Sequence, residues 1–126
     1  MTSLLRKQTI FRTSLCVAML AAAFALALPA QAQTFTVLHS FTGGQDGGGP
    51  MAGVTLDAGN LYGTAFGGGN TGGDCPSGGC GTVYKLKPSG SRWILDPLYS
   101  FHGDDGMQPI ARVVFGPDGT LYGTTL

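Results

Sequence analysis

The chain has 126 residues, with seven Lys and Arg balanced by seven Asp and no Glu, so its formal net charge is zero. Its basic residues are too few and too scattered to neutralise a phosphate backbone or an anionic membrane surface, which excludes nucleic acid as a partner class. Its 22 glycines and 43% hydrophobic content place it outside both the disordered and the helix-rich classes.

The N-terminus reads as a targeting segment. Arg6, Lys7 and Arg12 form a basic start, and the run from Ser14 to Leu28 is apolar until Pro29 ends it. Ala30-Gln31-Ala32 supplies the small-x-small pattern of a cleavage site, so residues 1–32 are expected to be a secretory signal peptide, helical in the membrane, cut between Ala32 and Gln33. The apolar run is shorter than the ~20 residues that span a bilayer, so no membrane span is expected after cleavage. Cys16 lacks the small preceding residues of a lipidation site. Cleavage leaves four basic residues (Lys85, Lys87, Arg92 and Arg112) against seven aspartates, a net charge of −3. It also leaves all 22 glycines in the remaining 94 residues. They punctuate short runs of Val, Leu, Ile and aromatic residues, the signature of a tight-turned all-β chain. Gly67–Gly73 is the exception and is expected to be a mobile loop.

An internal repeat organises residues 33–126. Residues 37–66 read VLHSFTGGQDGGGPMAGVTLDAGNLYGTAF, and residues 97–126 read PLYSFHGDDGMQPIARVVFGPDGTLYGTTL. Ser40-Phe41 matches Ser100-Phe101, Asp46-Gly47 matches Asp105-Gly106, Pro50 matches Pro109, and Leu61-Tyr62-Gly63-Thr64 matches Leu121-Tyr122-Gly123-Thr124. In each copy an apolar run, a turn rich in Asp, Gly, Asn or Pro, and a second extended run predict a β-hairpin. Gly81–Lys87 alternates, with Val83 and Lys85 on one face and Tyr84 and Leu86 on the other. Pro88–Ser91 is a turn, and Trp93–Phe101 is an edge or bent strand because Pro97 cannot donate to a ladder. One repeat therefore carries four antiparallel strands, near 51–56, 61–66, 80–87 and 93–101. The expected fold is all-β and propeller-like, an incomplete domain of about one and a half blades, with a stacked solenoid as the alternative.

These strings resemble a known family. VLHSFTGGQDG, GVTLDAGNLYGT, GTVYKL and PSG look like the GloVer (Gloeo/Verruco) tandem repeat, over Phe35 to Leu126. The resemblance implies a secreted or surface bacterial protein built of propeller-like β repeats, and no settled activity. Family members carry many copies and often a C-terminal sorting segment, whereas this sequence holds about one and a half. With Phe35–Phe41 matching the last strand of a unit and two strands following the complete one, the sequence reads as a piece of a longer array; assembly with further copies of itself is the alternative.

Few residues carry candidate chemistry. Cys75 and Cys80, with four residues between them and an even pair in an oxidising compartment, are expected to form a disulfide. Free thiols and a metal site are the weaker readings, since no further ligands stand nearby. His39 aligns with Tyr99 and His102 with Thr42, so the histidines are not an equivalent pair and are expected to be structural. Asp46, Asp57, Asp104, Asp105 and Asp118 sit beside glycines in turns, where Asp caps its own backbone. Calcium is the alternative, although the spacing lacks the alternating acids of calcium loops. Trp93 is the candidate sugar-stacking residue, with core packing as its ordinary role. No catalytic, cofactor-binding or metal-ligating residue is assigned, and no cofactor is expected. The function expected is a structural or binding surface, outside the cell or at its surface with the periplasm as the alternative, and with an extracellular polysaccharide or cell-surface component as partner. An extracellular propeller enzyme acting on carbohydrate is the runner-up.

Overall fold

A computed structural model of the chain describes residues 33–126; the expected signal peptide, its helix and the Ala32 side of the cleavage junction lie outside the described residues. The described residues contain strands and turns and no helix. Strands β1 (Thr55–Asp57), β2 (Asn60–Ala65), β3 (Thr82–Ser89) and β4 (Arg92–Ser100) form one antiparallel sheet in that order. Strands β5 (Val114–Phe115) and β6 (Leu121–Tyr122) form a second, two-stranded sheet. The four-stranded unit expected from the repeat is therefore present, and the second copy repeats its first hairpin.

Turn chemistry sets the registers. Asp57 pairs with Asn60, and the intervening Ala58 and Gly59 both have positive φ, 46° and 79°. That is the type I′ pattern, whose twist matches the flanking strands. The second hairpin carries one more residue: Gly116 N donates to Thr120 O at 2.9 Å across Pro117-Asp118-Gly119. A three-residue loop ending in a left-handed residue, here Gly119 with φ 78°, is the next commonest hairpin connection. The one-residue offset that follows the matched prolines thus sits inside a turn, and Tyr62 and Tyr122 hold equivalent registers opposite Thr55 and Val114.

Three boundaries differ from those expected. β1 begins at Thr55 rather than near 51, because the preceding chain leaves the sheet at Gly48–Gly49 to bond Gly67 and Phe66. β3 begins at Thr82 because Gly81 has φ 94°, outside the extended region. It then runs through Pro88 to Ser89, so the turn to β4 shrinks to Gly90-Ser91. β4 is the edge strand of the sheet, as Pro97 requires, and it is also bulged: Val83 faces Tyr99 while Tyr84 faces Pro97, leaving Leu98 unpaired.

The alternation of β3 divides the sheet into two faces. Thr82, Tyr84 and Leu86 are buried, while Val83 and Lys85 between them are half-buried. Tyr84, Leu86 and Ala65 make the core, with Phe41, Leu61, Trp93 and Leu95 packed against it. Gly63 stands opposite Tyr84 in the ladder. A Cβ there would lie 2.5 Å from the Tyr84 hydroxyl oxygen and 2.6 Å from Cζ, so the ring occupies the space a side chain would need. The Phe41 ring meets the Tyr84 ring edge-on at 5.0 Å, and His39 meets Phe41 at 4.8 Å.

The opposite face receives the second copy. Thr64 Oγ1 donates to Ala111 O at 3.1 Å, and Thr55 Oγ1 donates to Val113 O. The Tyr62 ring meets Phe115 edge-on at 4.9 Å, and the Lys85 ammonium lies 5.6 Å from the Tyr62 centroid. Val113 and Pro109 are buried by this contact. One sheet is thus covered on one face by the segment before it and on the other by the hairpin after it.

Gly63→Val should force the Tyr84 ring out of the core and destabilise the fold by about 2 kcal/mol. Tyr84→Ala should cost about 3 kcal/mol through the cavity it leaves. Urea unfolding followed by far-UV circular dichroism checks both, with Gly59→Asn in the exposed β1–β2 turn expected to behave as the parent.

Candidate functional site

Both histidines and two of the candidate aspartates, Asp46 and Asp105, belong to one structural device, an aspartate-centred loop built once in each copy. In the first copy, Phe41 leads out of the extended segment into Thr42–Asp46. The Thr42 amide donates to Asp46 Oδ2 at 2.9 Å, and the Thr42 hydroxyl donates to Oδ1 at 2.5 Å. His39 Nε2 lies 3.0 Å from Oδ2. The loop closes through Gly43 N to Gly47 O at 2.9 Å and Gly47 N to Gly44 O at 3.1 Å. Partial burial alone raises the Asp46 carboxyl pKa, but the two Thr42 bonds and the His39 contact outweigh it and hold the group at about 2.

The second copy builds the same loop from different residues. The His102 amide donates to Asp105 Oδ1 at 2.8 Å, and the Tyr99 hydroxyl donates to Oδ2. His102 Nδ1 lies 3.6 Å from the same carboxylate. The His102 amide bond, followed by the Tyr99 bond, lowers the Asp105 pKa. The bond to Asp105 raises that of the Tyr99 hydroxyl. Gly103 and Gly106 exchange both backbone bonds at 3.3 Å. His39 and Tyr99 therefore hold equivalent positions and do equivalent work, as do Thr42 and His102. The two histidines are not brought together, and each serves its own loop.

Beneath each loop a glycine allows close packing. Gly47 has φ 91°, and a Cβ on it would lie 2.5 Å from Thr82 Oγ1 and 2.6 Å from Ala65 Cβ. Gly106 has φ 113°, and a Cβ on it would lie 2.5 Å from Thr125 Oγ1. Ala65 and Thr125 are equivalent in the repeat, so both loops rest on the same repeat position, which in the first copy is the last residue of β2. Asp118 closes a smaller loop, accepting from the Thr120 amide at 3.1 Å and the Thr120 hydroxyl at 2.7 Å. The expectation of turn-capping aspartates holds at Asp46, Asp105 and Asp118.

Cys75 and Cys80 are bonded, with their Cα atoms 5.0 Å apart. Cys80 is fully buried, its amide donating to Asn70 O at 3.0 Å and its carbonyl accepting from Gln108 N at 2.6 Å. The disulfide loop is thereby joined to the second copy. The loop before it departs from expectation. Gly67 N bonds Gly48 O at 2.8 Å, Gly68 N bonds Gly78 O at 2.7 Å, and Gly69 N bonds Gly44 O at 2.8 Å. Gly68 and Gly69 are buried, so this part of Gly67–Gly73 is a packed backbone layer rather than a mobile loop. Glycine content argues for mobility, but bare backbone can pair with backbone at close range.

Trp93 lies partly buried against the core, the ordinary alternative to the sugar-stacking role. The roles of Thr55 and Thr64 in joining the copies were not foreseen. Recurrence of Thr64 as Thr124 was the one signal of Thr64's role. Among the described residues, no group of three or more His, Cys, Asp or Glu side chains converges as a metal site would require, and no helix is long and apolar enough to cross a membrane.

Fold and loops together define an all-β repeat protein in which two copies of one motif build the same turn and pack in series. A family model described as the Gloeobacter/Verrucomicrobia repeat matches residues 21–126, and the chain belongs to that family. No curated protein and no solved structure matches the chain.

Asp46→Asn should destabilise the fold by about 1 kcal/mol at neutral pH, by analogy with the loss of a cap. Ionised Asp46 holds the loop closed, and its folded pKa is depressed. Its contribution is therefore complete above about pH 4 and fades as the pH falls toward 2. The thermal midpoint of the parent should drop across that window more steeply than that of the variant, measured by circular dichroism melts between pH 2 and 7. Replacing both Cys75 and Cys80 by Ser should cost about 2 kcal/mol in the chain-entropy model, measured by urea unfolding with and without reductant.

Proposed function

We propose that this chain is a module of a secreted or cell-surface repeat protein, and that its stacked, propeller-like sheets provide a structural or binding surface rather than a catalytic one. The observation that carries the reading is the use made of the acids: Asp46 and Asp105 each have both carboxylate oxygens engaged by their own loop. Groups so engaged stiffen a scaffold and leave little capacity for proton transfer or for a cation. A four-stranded meander with the next hairpin packed on its face supports the propeller-like reading. The disulfide supports an oxidising compartment, consistent with cleavage between Ala32 and Gln33.

The surface offered is the β4 edge and its bulge, where Ile94, Leu98 and Tyr99 are all exposed. An apolar, aromatic edge with unpaired backbone groups suits an extracellular polysaccharide or a cell-surface component. Two measurements test the reading. Mass spectrometry of the exported protein should find a mature N-terminus at Gln33 with Cys75 and Cys80 oxidised. An array of bacterial polysaccharides should show retention that Leu98→Asp weakens at least about tenfold, by placing a charge in the apolar contact. Hydrolysis of an arrayed glycan would replace this reading by that of an enzyme, and a product retained in the cytoplasm would remove its premise.

A further inference from the structure

The two copies differ in one respect that bears on what the second sheet can bind. In the first, the Tyr84 ring is enclosed by Phe41, Leu61, Gly63 and Ala65. The repeat places Phe101, Leu121, Gly123 and Thr125 at the four equivalent positions. All four line one open groove of about 270 Å³, whose other wall is Thr64 and Val83 on the far face of the four-stranded sheet. No aromatic ring stands over Gly123; the nearest atom to a Cβ built there is Val113 Cγ1 at 3.2 Å. The strand beside it, β6, is paired with β5 on one side only, and Tyr122 is 53% exposed. The groove is thus the second copy of the Tyr84 socket, and it adjoins a strand edge with backbone groups available for pairing.

We propose that β6 and this groove form a strand-acceptor site for an extended polypeptide segment of the Gly-Thr-Val-Tyr-Lys-Leu type, carried by a further repeat unit. The segment would add to β6 antiparallel, as β3 adds to β2, with its tyrosine ring over Gly123 and against Phe101. Main-chain bonds supply the pairing and the aromatic socket supplies the selectivity. A second folded copy of this chain does not fit, because its own β3 is already paired on both edges, to β2 and to β4. The proposal goes beyond the function proposed above and stands whether or not the β4 edge binds polysaccharide.

The test titrates the full chain, isotope-labelled, with a synthetic peptide of the sequence Gly81–Ser89. Saturable binding is expected, with amide shifts concentrated at Leu121–Thr125. Replacing the peptide tyrosine by alanine should weaken binding at least about tenfold, the scale of one buried aromatic ring. Gly123→Val should abolish it, and the unfolding midpoint of that variant in urea reports whether its fold is intact. In a second arm the same nine residues are joined to the C-terminus through a flexible linker. The fused chain should melt at a higher temperature than the matching fusion with alanine in place of tyrosine. Equal binding by the two peptides, shifts centred on β1 or β4, or no binding together with no gain in the fused chain would overturn the proposal. So would self-association of the chain alone with protection from hydrogen exchange at β6, since that assigns the edge to a second copy.

Discussion

A tyrosine ring laid against bare backbone is the contact on which the rest of the structure depends. Tyr84 is buried because Gly63, its ladder partner, offers no side chain to displace it. The ring then becomes the surface on which Phe41 packs, with Leu61, Leu86 and Leu95 continuing the layer. A core of three buried hydrophobic side chains in this cluster is small, so its stability rests on a few well-filled contacts rather than on area.

The sheet built around that contact is used on both faces, and the two faces use different chemistry. The Tyr84 face is apolar and aromatic. The Thr64 face joins the next copy through hydroxyl-to-carbonyl bonds and a Tyr62–Phe115 edge contact. Alternation along β2 and β3 separates the two sets by one residue each, as the period of a strand requires. Because the two faces are unlike, the hairpin of the second copy packs on the Thr64 face and leaves the Tyr84 face to the segment before the sheet. The aspartate loops then fix the corners, and their carboxylates are held by donors within seven residues along the chain.

Much of this was legible in the sequence, and the failures have physical causes. The hairpins, the faces of β3, the edge position of β4, the disulfide and the turn role of the aspartates follow from short-range rules: period two, proline's missing donor, cysteine proximity and side-chain capping. The glycine segment did not follow. Composition describes what a segment lacks, and Gly67–Gly69 is ordered by partners at Gly44, Gly48 and Gly78 that no local rule connects to it. The equivalence of His39 with Tyr99 was visible as an alignment, yet their common task was not, because an imidazole and a phenol share only the capacity to meet a carboxylate.

The sequence by itself determined the class of the protein: an all-β repeat, its strands and turns, and its family, since all of these rest on patterns within a few residues or on the recurrence of one motif. Tertiary structure decided which copy has its tyrosine socket filled and which leaves it open. It also decided that both histidines serve corners rather than one shared site, and that a run of glycines is a packed layer. Each of these depends on distances between residues far apart in the chain, and such distances exist only once the sheet has brought them together.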